Sequence, residues 1–182
     1  MHTFYCFIQT ACGRAMLTSD GRALTGLYFE GQKDEPAIEA DWRHDEDAAP
    51  FAAAREQLAA YEHGRLTRFS LPLALHGTPF QRRVWDALQG VAHGQTISYA
   101  QLAARIGAPA AVRAVGAAVG RNPISVIVPC HRIVGSDGSL TGYAGGLERK
   151  RSLLEREGCL PAAASRAARR GRAAPAATGG RA

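Results

Sequence analysis

The residues best suited to chemistry lie together in the segment Val126–Arg132, where a proline, a cysteine and a histidine follow three apolar residues. Pro129 fixes its own φ and disfavours a helical conformation at Val128, so a stiff, strand-like approach to Cys130 is expected. A cysteine reacts as its thiolate, and a neighbouring base such as His131 favours that form at neutral pH. The segment therefore predicts a nucleophilic thiol presented at a fixed position.

A nucleophilic thiol needs a base, and the base needs a group that orients it. Glu157, at the end of the last predicted helix, is the candidate to orient His131. Asn122, just before Pro123, is the candidate to brace the turn that carries Cys130. Adjacency in sequence does not fix where the His131 ring points, so a buried structural cysteine beside a surface histidine stays open as the alternative.

The first part of the chain, residues 1–77, is predicted to be a small domain with a sheet and one helix. Its predicted elements are three short strands, a helix and a further strand with alternating leucines, at residues 3–9, 14–18, 23–29, 50–62 and 69–75. Residues 31–48 are polar and acidic and predict a loop. No chemistry is predicted for this domain by itself.

The second part, residues 78–160, is predicted to be mainly helical. Thr78 and Ser98 each precede a glutamine by three residues, which is the spacing of a capping box and marks a helix start. The predicted helices start at Thr78, Ser98, Pro109 and Leu147 and end at Gly90, Gly107, about Gly120 and Glu157. The second and third of these helices make a helix–turn–helix. Trp85, on the helix that starts at Thr78, is expected in the core.

The second helix of the helix–turn–helix, predicted from Pro109 to about Gly120, carries unusually small side chains. Its small residues are Ala110, Ala111, Ala114, Gly116, Ala117, Ala118 and Gly120. Arg113 is the one long charged side chain near its start. Such a helix can approach another surface closely, either inside a protein core or in a groove of DNA.

Charge is distributed unevenly around the net value of +6. Residues 1–77 carry 7 Lys/Arg against 11 Asp/Glu, residues 78–158 carry 10 against 5, and residues 159–182 carry 5 arginines and no acid. The second part and the tail would attract a polyanion, although a solvated basic surface explains the charge equally well. Residues 161–182 lack apolar periodicity and are predicted to be a disordered tail rich in alanine and arginine.

The four cysteines form no Cys-x-x-Cys pair and no zinc-finger spacing, so no metal is expected. No apolar run reaches the length of a membrane span, and the N-terminus has no secretory signal. These features predict a cytoplasmic protein with free thiols and no membrane partner.

Four motifs in order resemble the O6-alkylguanine-DNA alkyltransferase family. They are Arg113-Ala114-Val115-Gly116, Arg121-Asn122-Pro123, Ile127-Val128-Pro129-Cys130-His131-Arg132 and Gly142-Tyr143-Ala144-Gly145-Gly146-Leu147. The resemblance is close over residues 78–158 and loose over 1–77. It implies an α+β fold, with a ribonuclease-H-like N-terminal domain and a helical, winged-helix-like C-terminal domain.

The resemblance implies repair of DNA by direct reversal. Cys130 would accept the alkyl group from O6 of a flipped guanine, and O4-alkylthymine is expected as a second substrate. His131 would be the base, acting through a water molecule, with Glu157 orienting it and Asn122 holding the turn. Tyr99 would donate a hydrogen bond toward the departing base and crowd the adjacent phosphate. The resulting thioether is not reversible, so each protein molecule would act once.

The resemblance also implies how DNA is held. The helix of small residues would lie in the minor groove of double-stranded DNA, with Arg113 taking the place of the flipped base. The other implied contacts are Ala114 and Arg121 on the DNA and Ile133, Tyr143, Ala144 and Gly145 around the base. No cofactor is implied, and a monomer is expected.

Three other functions are consistent with part of the sequence. A lesion-binding protein of the same architecture would lack the acceptor cysteine, which Cys130 argues against. A Cys-His-Glu hydrolase would leave Arg113 and the helix of small residues unexplained. A plain helix–turn–helix repressor would need base-reading side chains, which alanines do not supply.

Overall fold

A computed structural model describes residues 2–160 of the 182-residue chain. In the first part the elements are β1 (Phe4–Thr10), β2 (Gly13–Ser19), β3 (Leu24–Phe29), β4 (Arg43–His44) and α1 (Phe51–Glu62). In the second part they are α2 (Pro79–Gln89), β5 (Ile97–Ser98), α3 (Tyr99–Arg105), α4 (Val112–Gly120), a 3-10 turn (Cys130–Arg132), β6 (Ile133–Val134) and α5 (Leu147–Arg156). The predicted disordered tail, residues 161–182, lies outside the described residues.

The N-terminal sheet has the strand order β3-β2-β1-β4. The first three strands form an antiparallel meander, and the two residues of β4 pair in parallel with β1. Helix α1 covers the sheet with an apolar face of Phe51, Ala54, Leu58 and Tyr61. The three predicted strands and the helix are therefore confirmed to within about two residues.

The predicted strand over residues 69–75 is wrong. Within this segment only Leu73 forms a β-bridge, to Leu24, through hydrogen bonds on either side of it. Pro72 has no N–H to donate to a ladder. Farther along β3, the same edge is taken by Ile124 of the second part, which bridges to Leu27. Because the segment around Ile124 occupies that edge of β3, the pairing at Leu73 does not extend into a strand.

Both predicted capping boxes are confirmed. The Thr78 hydroxyl accepts from the Gln81 N–H at 3.2 Å while the Gln81 side chain accepts from the Thr78 N–H at 2.8 Å. Ser98 and Gln101 repeat this arrangement at the start of α3. Trp85 is buried, as expected, and its indole N–H donates to the Ala118 carbonyl at 2.8 Å.

Helix α4 begins at Val112, three residues after the predicted start at Pro109. The chain first makes a turn in which the Ala111 N–H donates to the Ala108 carbonyl at 2.9 Å. No side chain caps the helix at Ala111, because alanine has no acceptor there. The turn shortens the helix without moving Arg113 out of its first turn.

The two parts share one continuous apolar cluster. They are also joined by backbone: the Leu27 N–H donates to the Pro123 carbonyl at 2.9 Å, and the Ser125 N–H donates to the Leu27 carbonyl at 3.1 Å. The predicted α+β class, with an N-terminal sheet and a helical second part, is confirmed. None of the helices described is both long and apolar enough to cross a bilayer.

Candidate active site around Cys130

The backbone leading to Cys130 is a series of tight turns, so the expected strand-like approach is wrong. The turn bonds run from Ile127 N–H to Ser125 O, from Val128 N–H to Ile124 O and from Cys130 N–H to Val128 O, at 2.8, 3.0 and 2.8 Å. Val126 has a φ of +69°, which is costly for a β-branched residue. The segment pairs with β3, and this pairing helps to hold the backbone conformation before Cys130. The rigidity of the segment therefore comes from tertiary contacts.

Asn122 braces these turns as the sequence suggested. Its side-chain oxygen accepts from the Ile124 N–H at 3.1 Å, which fixes the orientation of the amide. The amide nitrogen therefore faces inward and donates to the Val128 carbonyl at 2.8 Å and to the Cys130 sulfur at 3.0 Å. One side chain holds both the turn and the thiol.

Cys130 is 5% exposed and lies at the start of the 3-10 turn. Burial raises the pKa of its thiol, while the Asn122 hydrogen bond and the positive charge of Lys150 lower it. The net direction is upward, so the resting group is a thiol. A base must therefore take its proton for the sulfur to act as a nucleophile.

His131 is completely buried and hydrogen-bonds Glu157 through Nε2, at 2.8 Å from Oε1. Burial lowers the pKa of His131 against the opposing effect of Glu157, so the ring is neutral at neutral pH. A carboxylate only accepts, so Nε2 carries the hydrogen and Nδ1 carries the lone pair. Among residues 2–160, Nδ1 has no hydrogen-bond partner. Within this part of the chain, the ring can therefore act as a base through Nδ1.

Glu157 is buried and accepts hydrogen bonds from Arg132, Tyr61 and the Gly94 backbone as well as from His131. Arg132 binds it through two nitrogens, Nε to Oε2 at 2.8 Å and Nη2 to Oε1 at 2.9 Å. Burial alone would raise the Glu157 pKa, but the hydrogen bonds and charges of His131 and Arg132 hold it well below its usual range. The carboxylate is ionised and fixed in place.

Lys150 is a site residue that the sequence analysis missed. It is fully buried on α5, and its ammonium donates to the carbonyls of Ile133 and Thr141 at 2.5 and 2.6 Å. Burial lowers its pKa to about 8, and the nearby Cys130 opposes that shift. Helical spacing could have found it, since Lys150 lies one turn before the buried Leu153 and Leu154 on the same face.

Tyr99 begins α3 and reaches the glycine-rich segment after Cys130. Its hydroxyl donates to the carbonyls of Thr141 and Gly142 at 3.2 and 3.3 Å. Burial raises its pKa, so the group is a hydroxyl and a donor. Lys150 and Tyr99 thus hold the Thr141–Gly142 backbone from two sides.

The four residues predicted to surround a base lie along this segment and the adjacent turn. Ile133 donates its N–H to Cys130 and accepts from Lys150. The Ala144 carbonyl accepts from the Lys33 N–H at 3.1 Å, whereas its own N–H makes no hydrogen bond to residues 2–160. The Tyr143 hydroxyl is buried beside Ser125 and has no hydrogen-bond partner within residues 2–160. Gly145 lies beneath the Tyr143 ring, where a Cβ would come within 2.7 Å of that ring.

Apart from Tyr99, the predicted DNA contacts lie on α4 or just after it. Arg113, Ala114 and Arg121 are exposed, and so are Ala117 and Gly120. The opposite face packs into the core through Val115, Ala118 and Val119. Small residues therefore lie on both faces of α4. Ala114, Ala117 and Gly120 face outward, whereas Ala118 is buried.

The structure brings Cys130, Asn122, His131 and Glu157 together around one turn and places Tyr99 at its edge. Arg113, Ala114 and Arg121 are exposed on α4 and at its C-terminal end. Sequence reasoning missed Lys150, Tyr61 and the role of Arg132. For Tyr61 no local signal existed, because it lies in α1, nearly a hundred residues from its partner Glu157.

Comparisons with known proteins agree on one family. The family description "6-O-methylguanine DNA methyltransferase, DNA binding domain" matches residues 79–159, and "6-O-methylguanine DNA methyltransferase, ribonuclease-like domain" matches residues 3–75. A methylated-DNA--protein-cysteine methyltransferase of Mycobacterium tuberculosis is 49% identical over 153 residues, covering 84% of this chain and 91% of that relative. One from Haemophilus influenzae is 43% identical, covering 85% and 86%.

A solved structure extends this similarity to three dimensions. The crystal structure of Mycobacterium tuberculosis OGT in complex with DNA has a TM-score of 0.80 and 48% identity, covering 85% of this chain and 93% of that one. The similarity therefore spans both parts of the fold.

Proposed function

Because the chain belongs to the 6-O-methylguanine DNA methyltransferase family, we propose that Cys130 is the residue that accepts the alkyl group. The activity is direct-reversal repair of alkylated DNA by transfer to a protein cysteine. The observation that carries the assignment is the Cys130 sulfur, buried and hydrogen-bonded by Asn122 next to a neutral, oriented histidine. Each molecule acts once, because a thioether has no route back to the thiol here.

The proposed transfer begins with the thiol proton. It passes through a water molecule to Nδ1 of His131, and the resulting imidazolium is stabilised by Glu157. The sulfur attacks the alkyl carbon, so an S–C bond forms as the C–O6 bond breaks. The positive charge of Lys150 stabilises the thiolate during this step, in agreement with its effect on the Cys130 pKa.

The departing guanine carries the electron pair of the broken bond and needs hydrogen-bond donors. We assign this role to the Tyr99 hydroxyl and to the N–H of Ala144, which makes no hydrogen bond within residues 2–160. O6-alkylguanine is the main proposed substrate and O4-alkylthymine a second. Ile133 and Gly145 would border the base through their backbone, and the Tyr143 ring would form a wall of the pocket.

The buried thiol requires that the base leave the duplex. We propose that α4 enters the minor groove with its exposed alanines and glycines, that Arg113 fills the space of the flipped base, and that Arg121 contacts phosphate. The protein would act as a cytoplasmic monomer, with residues 1–77 and 78–160 as its two domains. The exposed, small-sided face of α4 supports this mode of binding.

Mass spectrometry tests the proposed acceptor. The protein is titrated with a duplex containing one O6-methylguanine, and its mass is measured first intact and then by peptide mapping. We expect one added methyl group, on the peptide containing Cys130, with repaired DNA equal in amount to protein supplied. Cys130→Ala should transfer nothing while still binding the duplex.

The matched control is Cys12→Ala, which removes a partly buried thiol that lies beside Ser152 of α5 and makes no hydrogen bond to Cys130, His131 or Glu157. It should retain full transfer. Methyl groups found on another cysteine, or several turnovers per molecule, would defeat the proposal.

A further inference from the structure

Glu157 joins the two parts of the chain as well as orienting His131. Its Oε1 atom accepts three hydrogen bonds, from Tyr61 at 2.7 Å, His131 at 2.8 Å and Arg132 at 2.9 Å. Two of these donors belong to the turn that carries Cys130. The third, Tyr61, comes from α1 of the N-terminal part.

Tyr61 is built into this position. Its side chain is 1% exposed, its ring packs on Phe69 at a centroid distance of 5.4 Å, and the ring of His93 meets it edge-on at 6.1 Å. Burial raises the pKa of the phenol, and the neighbouring Glu157 raises it further, so the hydroxyl keeps its proton. It can only donate to the carboxylate.

We propose that Tyr61 is a positioning residue for alkyl transfer, which sets the basicity of His131 by hydrogen-bonding the carboxylate oxygen that His131 itself uses. This inference rests on the proposed role of His131 as the base. It assigns to the N-terminal part a direct share in the chemistry of Cys130.

The direction of the effect follows from the shared oxygen. A donor on Oε1 stabilises the carboxylate and leaves less electron density for the His131 N–H. Removing the Tyr61 hydroxyl therefore makes Glu157 a stronger acceptor toward His131. The imidazolium is then favoured, and His131 becomes protonated at a higher pH than in the unaltered protein.

Other charged or titratable groups face this network and are unchanged by the substitution. Arg132 and Lys150 act on His131, Arg156 acts on Tyr61, and Cys159 lies near Glu157. Among these groups only Arg132 bonds Glu157 Oε1, and it already does so when Tyr61 is present. A change seen in Tyr61→Phe is therefore attributable to the lost hydroxyl.

The test is the pH dependence of the single-turnover transfer rate from pH 5 to 8, at saturating duplex, for Tyr61→Phe. The acid limb of the profile should move to higher pH by about half a unit, equivalent to a roughly threefold change in the protonation equilibrium. The His131 imidazole, followed by nitrogen NMR of the full chain, should show the same displacement. Tyr28→Phe is the matched control, because Tyr28 is a partly buried tyrosine of β3 that makes no hydrogen bond to Glu157.

The possible results distinguish the positioning role of Tyr61 from the role of His131 as the base. If Tyr61→Phe has an unaltered profile while His131→Gln loses activity, the positioning role is overturned and the base assignment stands. If His131→Gln transfers at the normal rate, the base assignment itself fails. A purely structural role for Tyr61 would lower the fraction of active protein at every pH without moving the midpoint of the limb, and that result also overturns the inference.

Discussion

Two opposing influences act on the Cys130 thiol. Burial raises its pKa, whereas Asn122 and Lys150 lower it. Asn122 is a neutral donor, while Lys150 brings a full charge and bonds only to backbone carbonyls. No carboxylate within residues 2–160 forms an ion pair with that ammonium. A negative sulfur is the charge that would compensate it, so Lys150 should matter most when the thiolate forms.

Lys150→Met tests this at the residue scale. The substitution removes the charge and keeps an unbranched apolar chain, so the thiolate loses its stabilisation. The transfer rate at neutral pH should fall by about tenfold, corresponding to roughly 1.4 kcal/mol, and the rate should rise toward higher pH. Rates measured between pH 6 and 8 report both changes.

Lys33→Met serves as the control, since Lys33 is the only other lysine of the chain and its side chain is exposed. It should behave as the unaltered protein does. A Lys150→Met rate lowered equally at every pH would indicate loosening of the Thr141–Gly142 backbone instead of a lost charge.

Helix α4 is the element with two distinct faces. Val115, Ala118 and Val119 pack into the core, and Arg113, Ala114 and Ala117 face outward. Because the exposed neighbours Ala110, Ala114 and Ala117 carry only methyl groups, they do not obstruct an Arg113 side chain that extends into a groove. The geometry supports a helix that approaches DNA closely and displaces a base with one long residue.

Arg113→Ala isolates the step of base displacement. Transfer from a duplex should slow by about tenfold or more, because stabilising a flipped base is worth a few kcal/mol. Transfer from the free O6-alkylguanine base should change by less than about twofold, because no flipping is needed. Single-turnover rates with the two substrates give the comparison.

Equal losses on both substrates would place the defect in the thiol pocket and contradict the proposed role of Arg113. The groove itself is tested by competition, in which a minor-groove ligand such as netropsin should displace the protein from a short A·T-rich duplex. Displacement by a major-groove ligand instead would contradict the minor-groove proposal.

In the molecule as a whole, the buried ionic network links stability to pH. His131 and Glu157 both have pKa values lowered by folding, so the unfolded chain binds more protons than the folded chain at low pH. Stability from these groups is complete above the unfolded pKa values and is lost below them. The loss begins near pH 6.5 with His131 and continues below about 4.5 with Glu157.

The free energy of unfolding, measured by urea titration, should therefore fall as the pH drops below about 6.5. One proton taken up on unfolding gives a slope approaching about 1.4 kcal/mol per pH unit. His131→Gln should flatten the slope between pH 5 and 6.5. His63→Gln is the control, because His63 is an exposed histidine at the end of α1 and should retain it. An unchanged slope in His131→Gln would show that other groups control the acid response.

The sequence by itself determined the local elements and identified the proposed nucleophile. The capping boxes at Thr78 and Ser98 depend on residues three apart, and Cys130 with His131 is a contiguous motif, so short-range rules were sufficient. Glu157 was also proposed from its position, and its bond to His131 agrees with that expectation.

Tertiary structure alone decided what lies between these elements. The leucines at 69–75 alternate as in a strand, yet Ile124 occupies part of the β3 edge. The residues just before Cys130 are β-branched and favour a strand, yet they form tight turns. The burial of Lys150 and the bond from Tyr61 to Glu157 likewise depend on which surfaces meet. Propensity and spacing act over a few residues, whereas these contacts join segments whose proximity is set only when both parts pack into one core.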